Sequence, residues 1–209
     1  MKHYISKKNK WEDHYSIKAK KEGFPARSVY KLQEIQRKYN IIKKKQKILD
    51  LGCAPGSWLL YAADLTGARG DVVGIDVQKV KIRFPSNVQV IKGDLLSLTV
   101  KQNELVGTDF DVVLSDMSPA LSGNKHVDNA NSLRLCNAAL DISQNVLVSG
   151  GVFVCKTFQG EDFCCFLDSV KAVFEKYKIF KPQSSRKASR EIYIIGKKKK
   201  TGGMYYVGA

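Results

Sequence analysis

Long apolar runs are missing from this 209-residue sequence, and none approaches the roughly 20 residues that span a bilayer. No apolar segment of the signal-peptide kind follows the first residues. The five cysteines contain no C-x-x-C pair and only three histidines occur, so we expect neither a disulfide framework nor a clustered metal site. These absences favour a cytoplasmic protein that binds no metal and no membrane, and whose reduced cysteines serve as small core residues.

The charge of the chain is strongly basic but unevenly distributed. The formal net charge is +15, with 15 basic and 5 acidic residues over 1–50, 8 and 10 over 51–155, and 12 and 5 over 156–209. A near-neutral middle between two basic ends is typical of a catalytic or ligand-binding core whose flanks meet a polyanion. Aromatic residues (Trp11, Tyr15 and Phe24) lie among the cations of the first segment, which favours nucleic acid over a membrane surface. A solvated lysine surface stays open as the alternative.

Apolar patterning predicts alternating strands and helices within one domain. Predicted strands cover Lys47–Leu51, Val72–Val77, Val88–Ile91, Phe110–Leu114, Val152–Cys155, Tyr177–Phe180 and Glu191–Ile195. Predicted helices cover Val29–Tyr39 with Ser28 as N-cap, Trp58–Leu65, Ala130–Val148 and Phe163–Tyr177. This alternation is typical of a doubly wound α/β sheet, which binds ligands beyond the carboxyl ends of its strands. We expect a basic arm over residues 1–26, a catalytic domain over 27–196 and a basic tail over 197–209.

The segment Asp50–Trp58 is predicted to form the end of a strand, a glycine-bounded turn and the start of a helix. Its spacing is G-x-x-x-G, so it matches neither the G-x-G-x-x-G dinucleotide fingerprint nor the G-x-x-x-x-G-K-[ST] phosphate loop. Asp76 ends the second predicted strand, where a carboxylate can accept both hydroxyls of a ribose. Asp94 follows the third strand and could face an adenine amino group. A nucleoside that lacks phosphates and carries a positive centre indicates S-adenosylmethionine.

Four ionisable residues are unusual in their context. Lys156 and Asp116 each follow an apolar strand, Glu191 opens the last strand, and Lys31 lies on a helix with an apolar face. Structural ion pairs are one interpretation of such residues near a core. The other is that lysines and acids gathered at one edge of the sheet tune one another for acid–base work.

Five segments together resemble the FtsJ/RrmJ family of ribosomal RNA ribose 2′-O-methyltransferases, from about Trp11 to Gly196. These segments are Arg27–Leu32, Asp50–Trp58, Ser115–Pro119, Lys156–Gly160 and Ser184–Tyr193. The resemblance implies a Rossmann-like, seven-stranded, S-adenosylmethionine-dependent methyltransferase fold. It also implies a catalytic tetrad of Lys31, Asp116, Lys156 and Glu191. By the same resemblance, the S-adenosylmethionine contacts are Gly56, Trp58, Asp76, Asp94 and Asp116. Two features depart from the family pattern: Ser57, expected at a helix N-cap where many members have glycine, and the tail Lys197–Ala209.

The resemblance further implies methylation of a uridine ribose in 23S ribosomal RNA, on the assembled or nearly assembled large subunit, by an enzyme that we expect to be a monomer. The reaction would be an in-line displacement in which orientation contributes about 7–11 kcal/mol. We assign Lys156 as the general base, which requires an uncharged amine, although a role limited to positioning the hydroxyl stays open. Three alternatives also remain: a transfer RNA anticodon-loop ribose as substrate, an RNA-binding assembly factor with vestigial activity, and a dehydrogenase.

Overall fold

The computed structural model describes residues 14–97, 106–160, 162–186 and 188–201, and helices and strands alternate along most of this length. The helices are α1 (His14–Lys21), α2 (Val29–Tyr39), α3 (Ser57–Thr66), α4 (Lys125–Val146) and α5 (Phe163–Val173). The strands are β1 (Lys47–Leu51), β2 (Asp71–Asp76), β3 (Val88–Lys92), β4 (Phe110–Ser115), β5 (Leu147–Phe158), β6 (Phe174–Phe180) and β7 (Glu191–Lys199). The predicted alternation is confirmed.

The strands form one seven-stranded sheet with the order β3-β2-β1-β4-β5-β7-β6. Strands β1 to β5 pair in parallel, whereas β7 lies antiparallel between β5 and β6. The strand order reverses at β1, which has β2 on one side and β4 on the other. Sheets of this kind bind ligands outside the carboxyl ends of the strands at such a reversal. The predicted Rossmann-like, doubly wound fold is therefore confirmed.

Helices cover both faces of the sheet and divide the core into two layers. Helices α2 and α3 pack on one face, where Ile48, Leu114 and Tyr193 are fully buried. Helices α4 and α5 pack on the other face, around Phe153 and Ile194. Full burial of one such side chain contributes roughly 1.5–3 kcal/mol, so these two layers fix the positions of the strand ends.

Two predicted helices end earlier than their periodicity indicates, because the chain pairs as a strand instead. The helix predicted over Ala130–Val148 begins at Lys125 and ends at Val146, after which Leu147 pairs with Phe110 of β4. Strand β5 then runs through the Gly150-Gly151 pair that was expected to separate the elements. The helix predicted over Phe163–Tyr177 ends at Val173, since Phe174–Phe180 pairs with β7. Long-range pairing of the backbone has outweighed local helical spacing in both places.

The two ends of the described chain are attached to the domain. Within the expected arm over 1–26, Ala19 of α1 is buried against Tyr30, whose hydroxyl donates a 2.9 Å hydrogen bond to Glu22. At the other end, β7 includes the first three residues of the segment 197–209, and Lys199 Nζ donates to the Leu147 carbonyl at 2.7 Å. Residues 1–13 and 202–209 of the expected arm and tail lie outside the described residues.

Three of the five cysteines are core residues, as expected. The buried ones are Cys53, Cys136 and Cys155, whereas Cys164 and Cys165 are exposed on the first turn of α5, so the expectation is wrong for this pair. The apolar face of that helix is formed by Phe166, Leu167 and Val170 instead. No helix in the described ranges is long and apolar enough to cross a membrane.

Candidate active site

The structure brings Lys31, Asp116, Lys156 and Glu191 together at the carboxyl edge of the sheet. Lys31 lies on the first turn of α2, and Asp116 directly follows β4. Lys156 was predicted just beyond a strand, but it lies inside β5, because pairing with β7 extends β5 to Phe158. Since β7 is antiparallel to β5, its first residue, Glu191, lies beside the end of β5. The antiparallel strand thus explains how the end of the chain reaches the same edge.

The four side chains form an array of alternating charge. Lys31 Nζ lies 3.1 Å from Glu191 Oε2 and 3.7 Å from Asp116 Oδ1. Lys156 Nζ lies 3.1 Å from Asp116 Oδ1 and 3.8 Å from Glu191 Oε1. Each ammonium group therefore contacts both carboxylates. The Lys156 side chain is 5% exposed and that of Lys31 12%, so the array is largely shielded from water and its interactions are stronger than those of surface ion pairs.

Asp116 is the most heavily contacted member of the array. Burial raises the pKa of this carboxyl, but Lys156, Lys31 and the Tyr193 hydroxyl together lower it below its usual value. The Lys156 ammonium also donates a 2.7 Å hydrogen bond to the Asp116 main-chain carbonyl. Asp116 is therefore a fixed anion, which Lys156 contacts through both its side chain and its backbone.

A second set of contacts, which the sequence analysis did not identify, fixes the position of α2. Glu34, one turn after Lys31, accepts hydrogen bonds from the main-chain amides of Gln183 and Ser184 at 2.7 and 2.8 Å. The Arg27 guanidinium donates to the Ser184 carbonyl. These contacts join α2 to the connection between β6 and β7. Arg27 and Ser184 lie in segments that carry the family resemblance, whereas Glu34 and Gln183 lie just outside them, so the sequence offered a signal for only one of these contacts.

The glycine-bounded turn after β1 needs its glycines for steric reasons. Gly52 and Gly56 have φ values of +75° and +109°, which side-chain-bearing residues rarely adopt. A Cβ on Gly56 would lie 2.8 Å from Ile82. Asp76, at the end of β2, anchors the turn, because its Oδ2 accepts a 2.8 Å hydrogen bond from the Ala54 amide.

Ser57 is the first residue of α3 rather than its N-cap, a position that Gly56 takes. The Ser57 hydroxyl is buried and exchanges hydrogen bonds with the main chain of Ala26, accepting from its amide at 2.8 Å and donating to its carbonyl at 3.1 Å. Ser28, the other expected cap, makes no side-chain capping bond. The departure at Ser57 therefore ties the start of α3 to the segment before α2.

A small cleft lies between this turn and the charged array. Its lining residues are Ser28, Asp50, Gly52, Cys53, Ala54, Pro55, Ser57, Trp58 and Asp116. Two of the predicted cofactor contacts, Trp58 and Asp116, line it. Asp116 belongs to both the cleft and the array, so a ligand in the cleft would lie next to the four ionisable side chains. One lining residue, Asp50, has a buried carboxyl oxygen, Oδ2, to which no described residue donates a hydrogen bond. An acidic lining residue with an unused acceptor oxygen fits a cationic ligand such as a sulfonium.

The remaining predicted cofactor contacts lie around the cleft rather than in its lining. Gly56 and Asp76 belong to the turn and its anchor. Asp94 is exposed beyond β3, where its Oδ1 accepts a 3.0 Å hydrogen bond from the Leu96 amide, so its observed contact is that of a turn residue. The Trp58 indole is buried and donates to the Ser28 carbonyl at 2.8 Å, so Trp58 also connects α3 to the start of α2.

Asp50 lines the cleft but was not among the predicted site residues. It lies within β1, between the apolar residues Leu49 and Leu51, and is 1% exposed. The signal that would have found it is the same one that identified Asp116 and Lys156, a charged residue at the carboxyl end of an apolar strand.

Comparisons with known proteins agree with this architecture. A sequence model of FtsJ-like methyltransferases matches residues 24–199. A ribosomal RNA large subunit methyltransferase E from Desulforapulum autotrophicum is 53% identical over 194 residues, covering 93% of this chain and 96% of the relative. A protein of the same name from Desulfosudis oleivorans is 50% identical, covering 96% of this chain and 97% of the relative.

Solved structures show the same relationship. A Plasmodium falciparum protein described as a ribosomal RNA methyltransferase has 29% sequence identity and a TM-score of 0.73, covering 84% of this chain and 98% of that one. A more distant structure from Clostridium thermocellum, at 17% identity and a TM-score of 0.54, shares the fold.

Proposed function

Because the chain belongs to the FtsJ-like methyltransferase family, we propose that it transfers a methyl group from S-adenosylmethionine to the 2′-hydroxyl of a uridine ribose in large-subunit ribosomal RNA. The observation that carries this proposal is the array of Lys31, Asp116, Lys156 and Glu191 beside the cleft at the glycine turn. Relatives that are about half identical over nearly their whole length are named as ribosomal RNA large subunit methyltransferases, which supports this choice of acceptor.

The residues around the glycine turn suit the donor that we propose. When bound, S-adenosylmethionine supplies a methyl group on a positively charged sulfur, which is already a good leaving group. Gly56 and the Trp58 backbone would lie along the donor, and Asp76 and Asp94 would accept hydrogen bonds from its ribose and adenine. Asp116 would lie at the boundary between the donor and the array. The carboxyl groups in and around the cleft complement the positive charge of this donor.

The array would align the acceptor and receive its proton. We assign Lys156 Nζ as the base: after its ammonium group has lost one proton to the solvent, the amine keeps an N–H bond to the Asp116 carbonyl while its lone pair takes the 2′-hydroxyl proton. A new oxygen–carbon bond forms, the sulfur–carbon bond breaks, and the proton ends on Lys156. Asp116, Glu191 and Lys31 orient this amine and the hydroxyl. Alignment of the two reactants contributes the larger share of the rate, about 7–11 kcal/mol for such steps.

A basic surface near α2 suits an RNA strand that enters this site. The lysine cluster consists of Lys38, Lys43, Lys176 and Lys197. Lys38 Nζ and Lys197 Nζ lie 5.6 and 5.7 Å from the centre of the Tyr39 ring, and Lys176 and Lys197 are direct cross-strand partners. Like charges placed directly opposite are destabilising. Within the described ranges, none of the four forms an ion pair with a carboxylate, so phosphate groups are the complementary partner.

The lysine cluster is also well placed relative to the array. Lys38 follows Lys31 by seven residues on α2, which puts it on the same helix face about 10 Å further along the axis. Burial and the nearby Lys43 lower the pKa of Lys197, as expected for crowded cations. An RNA strand whose target ribose lies at the array could therefore extend along α2 to this cluster. We further propose that the acceptor is the assembled or nearly assembled subunit and that the enzyme acts in the cytoplasm as a monomer.

The decisive experiment is transfer of tritium from labelled S-adenosylmethionine to purified large ribosomal subunits, free 23S RNA and transfer RNA, compared side by side. We expect incorporation into large subunits at a uridine whose 3′ phosphodiester resists alkaline hydrolysis, the mark of a methylated 2′-oxygen. Preferential incorporation into transfer RNA would overturn the proposed substrate. Methyl groups that are found only on bases would overturn the proposed chemistry.

A further inference from the structure

Asp50 is a buried acid with one carboxyl oxygen that receives no hydrogen bond from the described residues. It lies near the carboxyl end of β1 and lines the cleft, and its Oδ2 has no hydrogen-bond partner among those residues. Its register partners on the flanking strands are Gly74 and Leu114, which offer no side-chain donor. An unsatisfied buried carboxyl is costly, and a ligand in the cleft that interacts with it would offset this cost, which indicates a ligand-directed role.

The other acids near the cleft already have partners. Asp116 is paired with Lys31 and Lys156. Asp76 accepts hydrogen bonds from the amides of Ala54 and Gln78 at 2.8 and 2.7 Å. Asp50 differs from both, since it has neither a nearby ammonium group nor an amide donor to Oδ2 within the part of the chain that the structure describes.

We propose that Asp50 is a donor-binding residue that faces the sulfonium of S-adenosylmethionine and ionises when the donor binds, so that the enzyme distinguishes the donor from its uncharged, demethylated product. This inference rests on the proposed function. The reactive sulfur must lie where the cleft meets the array, and Asp116 belongs to both. Asp50 lines the same cleft, and its register partner on β4, Leu114, precedes Asp116 by two residues, so Asp50 lies near that end of the donor.

The surroundings of Asp50 favour its protonated form when no cation is near. Burial, followed by Asp116 and Asp76, raises the pKa of Asp50 well above its usual value. The thiol of Cys53, in the adjoining turn, has a pKa raised by burial and remains uncharged. The ammonium groups of Lys31 and Lys156 contact Asp116 and partly offset its charge. A positive sulfur beside the carboxyl would reverse this balance and favour the carboxylate.

This proposal couples donor binding to the loss of one proton from Asp50. When the donor binds, the O–H bond of Asp50 breaks and the proton passes to the solvent. After methyl transfer the sulfur is uncharged, so Asp50 takes a proton back and its attraction for the product is lost. Product release is thereby favoured over donor release.

Isothermal titration calorimetry in buffers of different ionisation enthalpy measures this proton directly. The ligands are S-adenosylmethionine and S-adenosylhomocysteine, which share the same amino acid and nucleoside ends and differ in the charge on sulfur. Wild-type protein should release more protons with the donor than with the product, and its donor affinity should rise with pH while its product affinity changes less. Equal proton release with both ligands would overturn the inference.

The Asp50→Asn variant, an uncharged isostere of the protonated acid, should lose this excess proton release. Its donor affinity at alkaline pH should fall about 10- to 100-fold, the effect of losing one hydrogen bond or contact to a charged group, with little change for the product. The control is Asp141→Asn, which removes another carboxyl whose pKa burial raises, on α4 outside the cleft. Thermal unfolding verifies that both variants are folded. If wild-type protein fails to bind the donor, the proposed function fails; if it binds without excess proton release, only the role of Asp50 fails.

Discussion

The Tyr193 hydroxyl donates a 2.6 Å hydrogen bond to Asp116 Oδ1, the same oxygen that lies 3.1 Å from Lys156 Nζ. Tyr193 is fully buried and is the direct cross-strand partner of Lys156, so one pair of residues on β5 and β7 supplies two of the groups around this carboxylate. Burial, then the negative charge of Asp116, raises the pKa of Tyr193 far above its usual value, which keeps the phenol as a permanent donor. The uncharged Tyr193 phenol thus helps to stabilise and orient the Asp116 carboxylate.

Replacing Tyr193 with phenylalanine should therefore lower the rate of methyl transfer about 10- to 100-fold, because a hydrogen bond to a charged group contributes roughly 1.5–3 kcal/mol. Donor affinity should change little, since the indole and the glycine turn are untouched. Single-turnover kinetics with large subunits measures the first quantity and calorimetry the second. Tyr30→Phe is the matched control, because it removes a hydrogen bond to Glu22 outside the array. An unchanged rate in Tyr193→Phe would show that the bond has no part in catalysis.

The residues at this edge could be predicted from sequence because each is a polar exception in an apolar context. Asp116, Asp76 and Lys156 follow or end runs of strand-forming residues, and parallel strands bring their carboxyl ends to one edge of a sheet. Local pattern identified Glu191 as the first residue of the last strand, but its place beside Lys31 and Lys156 depends on an antiparallel strand whose pairing is set by residues far away in the sequence.

Local spacing could not predict the elements that tertiary pairing decides. Residues 174–176 continue a helical pattern, yet they pair with β7 because the edge of the sheet offers hydrogen-bond partners there. The lack of a hydrogen-bond partner for Asp50 Oδ2 could not be predicted either, since it depends on which side chains β2 and β4 place beside Asp50. Patterns in a single sequence identify which residues are unusual. The contact partners of those residues can be identified only from the three-dimensional structure.

Substitutions at Lys156 separate proton transfer from positioning. Lys156→Ala should lower the methyl-transfer rate by about 10²- to 10⁴-fold, the range for loss of a general base. Lys156→Arg keeps a positive charge near Asp116 but cannot take up a proton at accessible pH, so it should be nearly as inactive as the alanine variant. Single-turnover transfer of labelled methyl groups gives both rates. Substantial activity in Lys156→Arg would instead assign the residue to orienting the hydroxyl.

The lysine cluster should control how RNA affinity depends on salt. The Lys38→Gln/Lys43→Gln variant should bind ribosomal RNA more weakly at low salt and lower the slope of log affinity against log salt by about 1.5, because each phosphate contact contributes about 0.7–0.9. The matched control is Lys171→Gln/Lys198→Gln, which removes two lysines that pair with Asp168 and Glu175. Filter binding over a salt series gives the slopes. If the two variants lower the slope equally, the effect is one of net charge and the cluster is not a contact surface.

The opposite pKa shifts of Asp50 and Asp116 predict opposite dependences of stability on pH. The pKa of Asp50 is raised in the folded protein, so its protonated form stabilises the fold fully below the usual value of 3.8, and this contribution declines as pH rises toward the folded value. The pKa of Asp116 is lowered, so its contribution is present above 3.8 and is lost as pH falls through the folded value.

Thermal unfolding of donor-free protein across a pH series tests both signs. Asp50→Asn cannot ionise, so its melting temperature should increasingly exceed that of the wild type as pH rises above about 4, and the gap should level off above the raised pKa. Asp116→Asn should show the reverse: it should be less stable than the wild type at neutral pH, because it leaves two buried ammonium groups with one carboxylate, and the difference should shrink in acid. A constant gap between Asp50→Asn and wild type at every pH would mean that Asp50 has the same protonation state in the folded and unfolded chain. That result would remove the basis for coupling its proton to the donor.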